Sequence, residues 1–167
     1  IAFPIFAFQI SEGFLHTKNL KNYFIRLMVF ALISQIPYIL FLSLYSNDIR
    51  LNVFFTLTLG LIAIWLHSYI LKDISSKLDV KIKNSFTKLL LKLIVEFVPT
   101  IAIGIIGEIS KVDYGWWGIL LVFMFYYFKK NKIAMNISFI TMCIIYYGIA
   151  IIKTGFNTLY IWLFAFN

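Results

Sequence analysis

The chain has 167 residues, of which 62% are hydrophobic and 13% charged, with a net charge of +8 and a mean hydropathy of +0.90. An ordinary soluble domain is roughly 45–50% apolar and about 25% charged, so this composition excludes a water-soluble fold and indicates lipid as the solvent. The positive charge is distributed in a way that excludes nucleic acid as its target, as the loops below make clear.

In chain order, Ile1–Ser11 reads as an incomplete apolar helix. Leu27–Asn47 supplies 21 uncharged positions and Leu51–Leu71 another 21. Each is long enough to cross a bilayer, which takes about 20 residues. Asp73–Lys88 is the one sizeable polar stretch. Its Ile74, Leu78, Ile82 and Phe86 recur every four residues among lysines, which predicts a basic interfacial helix held by anionic lipid. Leu89–Gly107 is a 19-residue span interrupted by Lys92 and Glu96; Lys92 can snorkel, and Glu96 has Lys92 as a partner one turn away. Tyr114–Phe128 offers only 15 residues, short for a crossing, so a re-entrant segment is the alternative. Ile133–Ile152 gives 20, and Thr154–Asn167 reads as a second incomplete helix.

Lysine and arginine decide between these paths. Between successive segments they number three, one, six, one, three and one, so twelve lie on one side and three on the other. The rich side is expected in the cytoplasm by the positive-inside rule. The alternation holds only if Tyr114–Phe128 crosses, since otherwise Lys111 and the cluster at Lys129, Lys130 and Lys132 share a side. The expected architecture is an all-α, polytopic transmembrane bundle of about seven segments, both end segments being truncated. The chain is read as one transmembrane domain internal to a longer protein. It has no tandem repeat and no linker, and its lone Cys143 excludes an intrachain disulfide.

Ionisable groups within or beside spans are functional candidates. Glu12 and His16 stand four apart and share a helix face. His16 suits a general base, with Glu12 orienting the imidazole; equally, the pair marks a helix end meeting the headgroups. A metal is not expected, because the pair supplies two ligands and a site needs at least one more. Arg26 is either a snorkelling anchor or a bidentate grip on phosphate, and Lys18 and Lys21 would add to such a grip. On the far side lie Asp48, Arg50, Asn52, Thr56, Glu108, Asp113 and Tyr114. Arg50 can pair with Asp48 or Asp113. Asn52, Thr56, Asp113 and Tyr114 either shape a substrate entrance or stitch helices together. Walker, dinucleotide, CxxC, nucleophile-elbow and HExxH patterns are all absent.

The segment IAFPIFAFQISEGFLHTKNLKNYFIRLMVFALISQIPY, followed by LNVFFTLTLGL, resembles the TraX family of membrane proteins. The likeness rests on Phe3-Pro4, Glu12-Gly13, His16-Thr17, Tyr23, Arg26-Leu27, Ser34, Pro37 and Asn52 to Thr56. Tyr114, Gly115 and Gly118 are similar to the family's Tyr-Gly-x-x-Gly segment. The resemblance covers roughly the first 70 residues and the 113–128 stretch. It implies a bacterial plasma-membrane protein related to multi-span acyltransferases, moving acetyl from cytoplasmic acetyl-CoA to an amine or hydroxyl acceptor. His16 and Glu12 would then be catalytic, and Arg26, Lys18 and Lys21 would hold the CoA phosphates. An Asp-His pair that family members carry before the part matching Ile1, and a Pro-x-His near their C-terminus, are not in this chain. Its Glu-Gly-x-x-His-Thr form differs from the pilin-modifying branch, so pilin is not implied as substrate. Two rival classes are a transporter, for which Pro37 and Pro99 would break helices, and a non-catalytic membrane subunit of a secretion or conjugation system.

Overall fold

A computed structural model describes residues 2–44, 49–81 and 85–154. Among them run six α-helices: α1 Ala2–His16, α2 Leu20–Ser43, α3 Val53–Lys81, α4 Ser85–Ile109, α5 Gly115–Tyr127 and α6 Lys132–Thr154. The expected seven segments thus become six described helices. The last segment lies outside the described residues, except for Thr154, which ends α6.

Helix ends depart from the hydropathy windows for a physical reason. A window stops at the first charge, whereas a helix stops where its backbone loses partners. Asn19 caps α2 by accepting the Asn22 N–H at 3.1 Å, so α2 begins seven residues before Leu27, and Lys21 and Arg26 sit on the helix. Likewise α3 continues past Leu71 to Lys81, so the first part of the 73–88 connection extends that helix. Pro37 and Pro99 lie inside α2 and α4 without ending either.

The shortest helix holds the centre. α5 is apolar on every face, the pattern of a helix buried all round. Ile119, Val122 and Phe123 are fully buried, and α5 packs on α1, α3, α4 and α6. It runs alongside α1 for nearly that helix's whole length. At one end Tyr114 stacks on Phe3 of α1, and at the other Tyr126 meets Phe14 edge-on. Trp117 stacks on Tyr146 and Phe125 lies 5.9 Å from Phe139, so α6 returns antiparallel beside it. α5 is therefore a continuous helix packed parallel to α1 and antiparallel to α6. Gly60 lets α3 approach it closely: a Cβ there would stand 2.8 Å from the Val122 Cβ.

The outer faces are apolar. Phe30, Ile33, Ile36 and Leu40 of α2 and Ile137, Ile140 and Ile144 of α6 are exposed. Among the described residues three helices are long and apolar enough to cross a membrane: Leu20–Ser43, Val53–Ile70 and Lys132–Ile149. Exposed greasy faces on spans of this length define a membrane protein.

Candidate functional site

Polar side chains collect in three places. At the basic end, α1 and α2 meet in a three-residue turn, Thr17 to Asn19, closed by the Thr17 N–H to the Gly13 carbonyl at 2.9 Å. His16 Nδ1 donates to the Glu12 carbonyl oxygen at 2.9 Å and lies 3.7 Å from Glu12 Oε2. A carbonyl only accepts, so Nδ1 carries a proton, and in the neutral ring Nε2 is the nitrogen with the lone pair. The imidazole is 77% exposed. Lys18 sits in the turn, and Lys21 and Arg26 are exposed on α2. Lys21 also lines an apolar cavity of about 510 Å³ between α2 and α3, with Leu20, Phe24, Leu61, Ile62 and Trp65.

The second group is buried. His67 of α3 is 3% exposed, and neither ring nitrogen has a hydrogen-bond partner. The rings of Phe123, Tyr126 and Tyr127 surround it edge-on at 5.0–6.2 Å. Glu96 of α4, 7% exposed, accepts the Tyr127 hydroxyl at 3.0 Å. The side chain of its expected partner, Lys92, lies outside the described side chains. Lys129 Nζ lies 3.7 Å over the Tyr126 ring. Sequence reasoning did not join His67 to Glu96. They sit on different helices, and the only signal was that each is ionisable within a span.

The opposite end is built on backbone pairing. Leu51 N–H donates to the Lys111 carbonyl at 3.1 Å and Asp113 N–H to the Leu51 carbonyl at 2.9 Å, forming a parallel bridge between Leu51 and Val112. The turn that allows this holds Lys111 at φ 50° and Gly115 at φ 52°. Positive φ is free for glycine but costs a lysine, so Lys111 is held there by its surroundings. Tyr38 OH donates to Asp113 Oδ1 at 3.0 Å, and Trp116 N–H donates to Glu108 Oε2 at 3.3 Å. Arg50, Glu108, Lys111, Asp113, Tyr114 and Trp116 line a cavity of about 460 Å³.

Asn52 and Thr56 lie behind this wall. Asn52, 3% exposed, donates to the Ala31 carbonyl at 2.8 Å and Ser34 Oγ at 3.1 Å, and accepts the Phe54 N–H at 2.9 Å. Thr56 is fully buried and accepts the Tyr114 N–H at 3.5 Å. Their contacts run helix to helix, whereas Asp113 and Tyr114 reach the cavity. Asp48 lies outside the described residues, so its pairing with Arg50 does too.

Arg50 and Lys111 share one end, and Lys129 lies at the other beside Phe14's partner Tyr126. Arg50 and Lys111 are thus separated from Lys129 by the length of α5. Among the described residues no three His, Cys, Asp or Glu side chains come together as a metal site would need.

These features define a multi-helix integral membrane protein with polar groups at both ends and a buried polar node between. The chain belongs to the TraX protein family, whose sequence model matches residues 1–165. It is similar to the probable fimbrial assembly protein FimC, serogroup H1, of Dichelobacter nodosus, at 34% identity over 91 residues. That match takes in 50% of this chain and 34% of the relative, so it spans about a third of the relative's length. No solved structure matches.

Proposed function

We propose that the chain is part of a plasma-membrane acyltransferase that moves acetyl from acetyl-CoA to an amine or hydroxyl acceptor. One observation carries this reading: the Glu12–His16 pair ends α1 beside a turn that holds Lys18, while Lys21 and Arg26 follow, exposed, on the first turns of α2, and Lys21 borders an apolar cavity. Arg26, Lys18 and Lys21 hold the phosphates of the donor on the cytoplasmic face. The acceptor nitrogen or oxygen attacks the thioester carbonyl through its lone pair. A C–N or C–O bond forms as the C–S bond breaks, and the proton passes through His16 Nε2 to the departing thiolate. Glu12 stabilises the imidazolium in between. Asp113 and Tyr114, at the opposite end of α1, shape an entrance for the acceptor and do not touch the reacting atoms. α1, about 22 Å long by its rise per residue, joins the two ends.

The test is incubation of the full-length protein in liposomes with radiolabelled acetyl-CoA and mixed amine and hydroxyl acceptors. Label transferred in a protein-dependent way supports the reading; absence of both donor binding and transfer overturns it.

A second reading is a non-catalytic membrane subunit of pilus assembly, and the likeness to the probable fimbrial assembly protein of Dichelobacter nodosus favours it. It expects a fixed co-purifying neighbour and indifference to replacement of His16.

A further inference from the structure

The cavity lined by Arg50 and Asp113 shares a wall with a second one. An apolar groove of about 420 Å³ runs along α4 beside α5, past Phe97, Ile101, Gly104, Ile105 and Leu120. Glu108 and Trp116 line both spaces, so the polar cavity and the groove lie side by side. Ile101 and Ile105 are more than half exposed, which turns the groove toward lipid.

Its length identifies the occupant. From Phe97 to Glu108 the helix rises roughly 16 Å. Half of a hydrocarbon core about 30 Å thick is about 15 Å, the depth of one leaflet. The groove therefore matches one lipid chain hanging from the interface at the Lys111 end.

The headgroup follows from the charges. Arg50 and Lys111 face the cavity together with Glu108 and Asp113, and Trp116, Trp117 and Tyr146 complete the wall at interfacial level. A purely anionic group would meet the two carboxylates, and a purely cationic one the two bases. A phosphate joined to a primary ammonium complements both pairs. Tyr38 OH fixes Asp113, and Trp116 N–H fixes Glu108 where headgroup and chain would join.

We propose that this composite cavity is a binding site for one aminophospholipid, its phosphate on Arg50 and Lys111, its ammonium on Glu108 and Asp113, and one acyl chain along α4. The site shares Asp113 and Tyr114 with the acceptor reading above, but lipid binding does not depend on acetyl transfer.

The full-length protein, purified in detergent, is offered phosphatidylethanolamine, phosphatidylcholine and phosphatidylglycerol in equal amounts, and retained lipid is counted by native mass spectrometry. Phosphatidylethanolamine is retained over the other two by about tenfold, the scale of one charge-assisted hydrogen bond. Glu108→Gln keeps an acceptor for Trp116 N–H but brings that preference below about twofold. Ile105→Trp, at a lipid-facing position, fills the groove and lowers retention of the preferred lipid. Equal retention of all three lipids overturns the proposal. So does displacement of the lipid by an equal concentration of soluble phosphoethanolamine, which would show that the groove contributes nothing. Acetyl transfer is measured on the same samples: lipid preference without transfer removes the enzymatic reading alone, and transfer without lipid preference removes this one alone.

Discussion

Phe3 and Tyr114 stack face to face, with ring centroids 3.8 Å apart and planes 12° from parallel, so the first turn of α1 is fastened to the start of α5. Stacked aromatic pairs contribute about 0.5–1.5 kcal/mol beyond the area they bury. A double-mutant cycle with Phe3→Ala and Tyr114→Ala should give a coupling energy in that range, read from unfolding in mixed micelles. Additive losses would show that the rings merely coexist.

Asn52 holds α2 to α3 and caps α3 with the same amide. Asn52→Ala should cost about 1–2 kcal/mol, combining a lost cap with lost interhelical hydrogen bonds. Asn52→Asp should fare no better, because it keeps the cap but turns a second acceptor toward the Ala31 carbonyl. Unfolding midpoints of the two variants check this.

The approach of α3 to α5 depends on the missing side chain at Gly60. Gly60→Ala should destabilise by about 1–3 kcal/mol through overpacking against Val122. Combining it with Val122→Ala should restore most of the loss. A double variant as weak as the sum of its parts would contradict this contact geometry.

Sidedness is open to direct labelling. With Cys143 replaced by Ala, single cysteines at Lys18 and Lys111 should react with an impermeant maleimide from opposite compartments. Lys18 should be protected in intact cells and Lys111 labelled. The same compartment for both would undo the threading of the chain.

For the reaction, His16→Ala should lower turnover by about 10²–10⁴, the usual contribution of a positioned base. Arg26→Ala should raise KM for acetyl-CoA with little change in kcat, and Arg26→Lys should recover part of it. A His16→Ala protein of full activity would transfer the base to another group, of which the buried His67 is the obvious candidate.

How much of this was legible in the sequence varies with the kind of interaction. The long apolar helices were legible, because length and hydropathy are properties of the chain itself. The early start of α2 was not, since Lys21 and Arg26 close a hydropathy window while the Asn19 cap opens the helix before them. The central place of α5 looked doubtful from its length, although its apolar character on all faces carries the answer. The hydrogen bonds of Asn52 could not be read at all: one partner is the Ala31 carbonyl, and every residue has a carbonyl. The grouping of His67, Glu96 and Tyr127 depends on the rotation of three helices, which no local spacing records. At the basic end, Glu12 was expected either to orient His16 or to mark a helix end meeting the headgroups; in the fold His16 lies 3.7 Å from it.

α3 continues without a break from Val53 to Lys81, roughly 44 Å by its rise per residue against a hydrocarbon layer of about 30 Å. Its far turns must therefore stand clear of the greasy layer like the handle of a stiff lever whose other tip is pinned at Asn52. A push on that handle, from lipid or from a neighbouring protein, would be felt across the bilayer at the bridge between Leu51 and Val112.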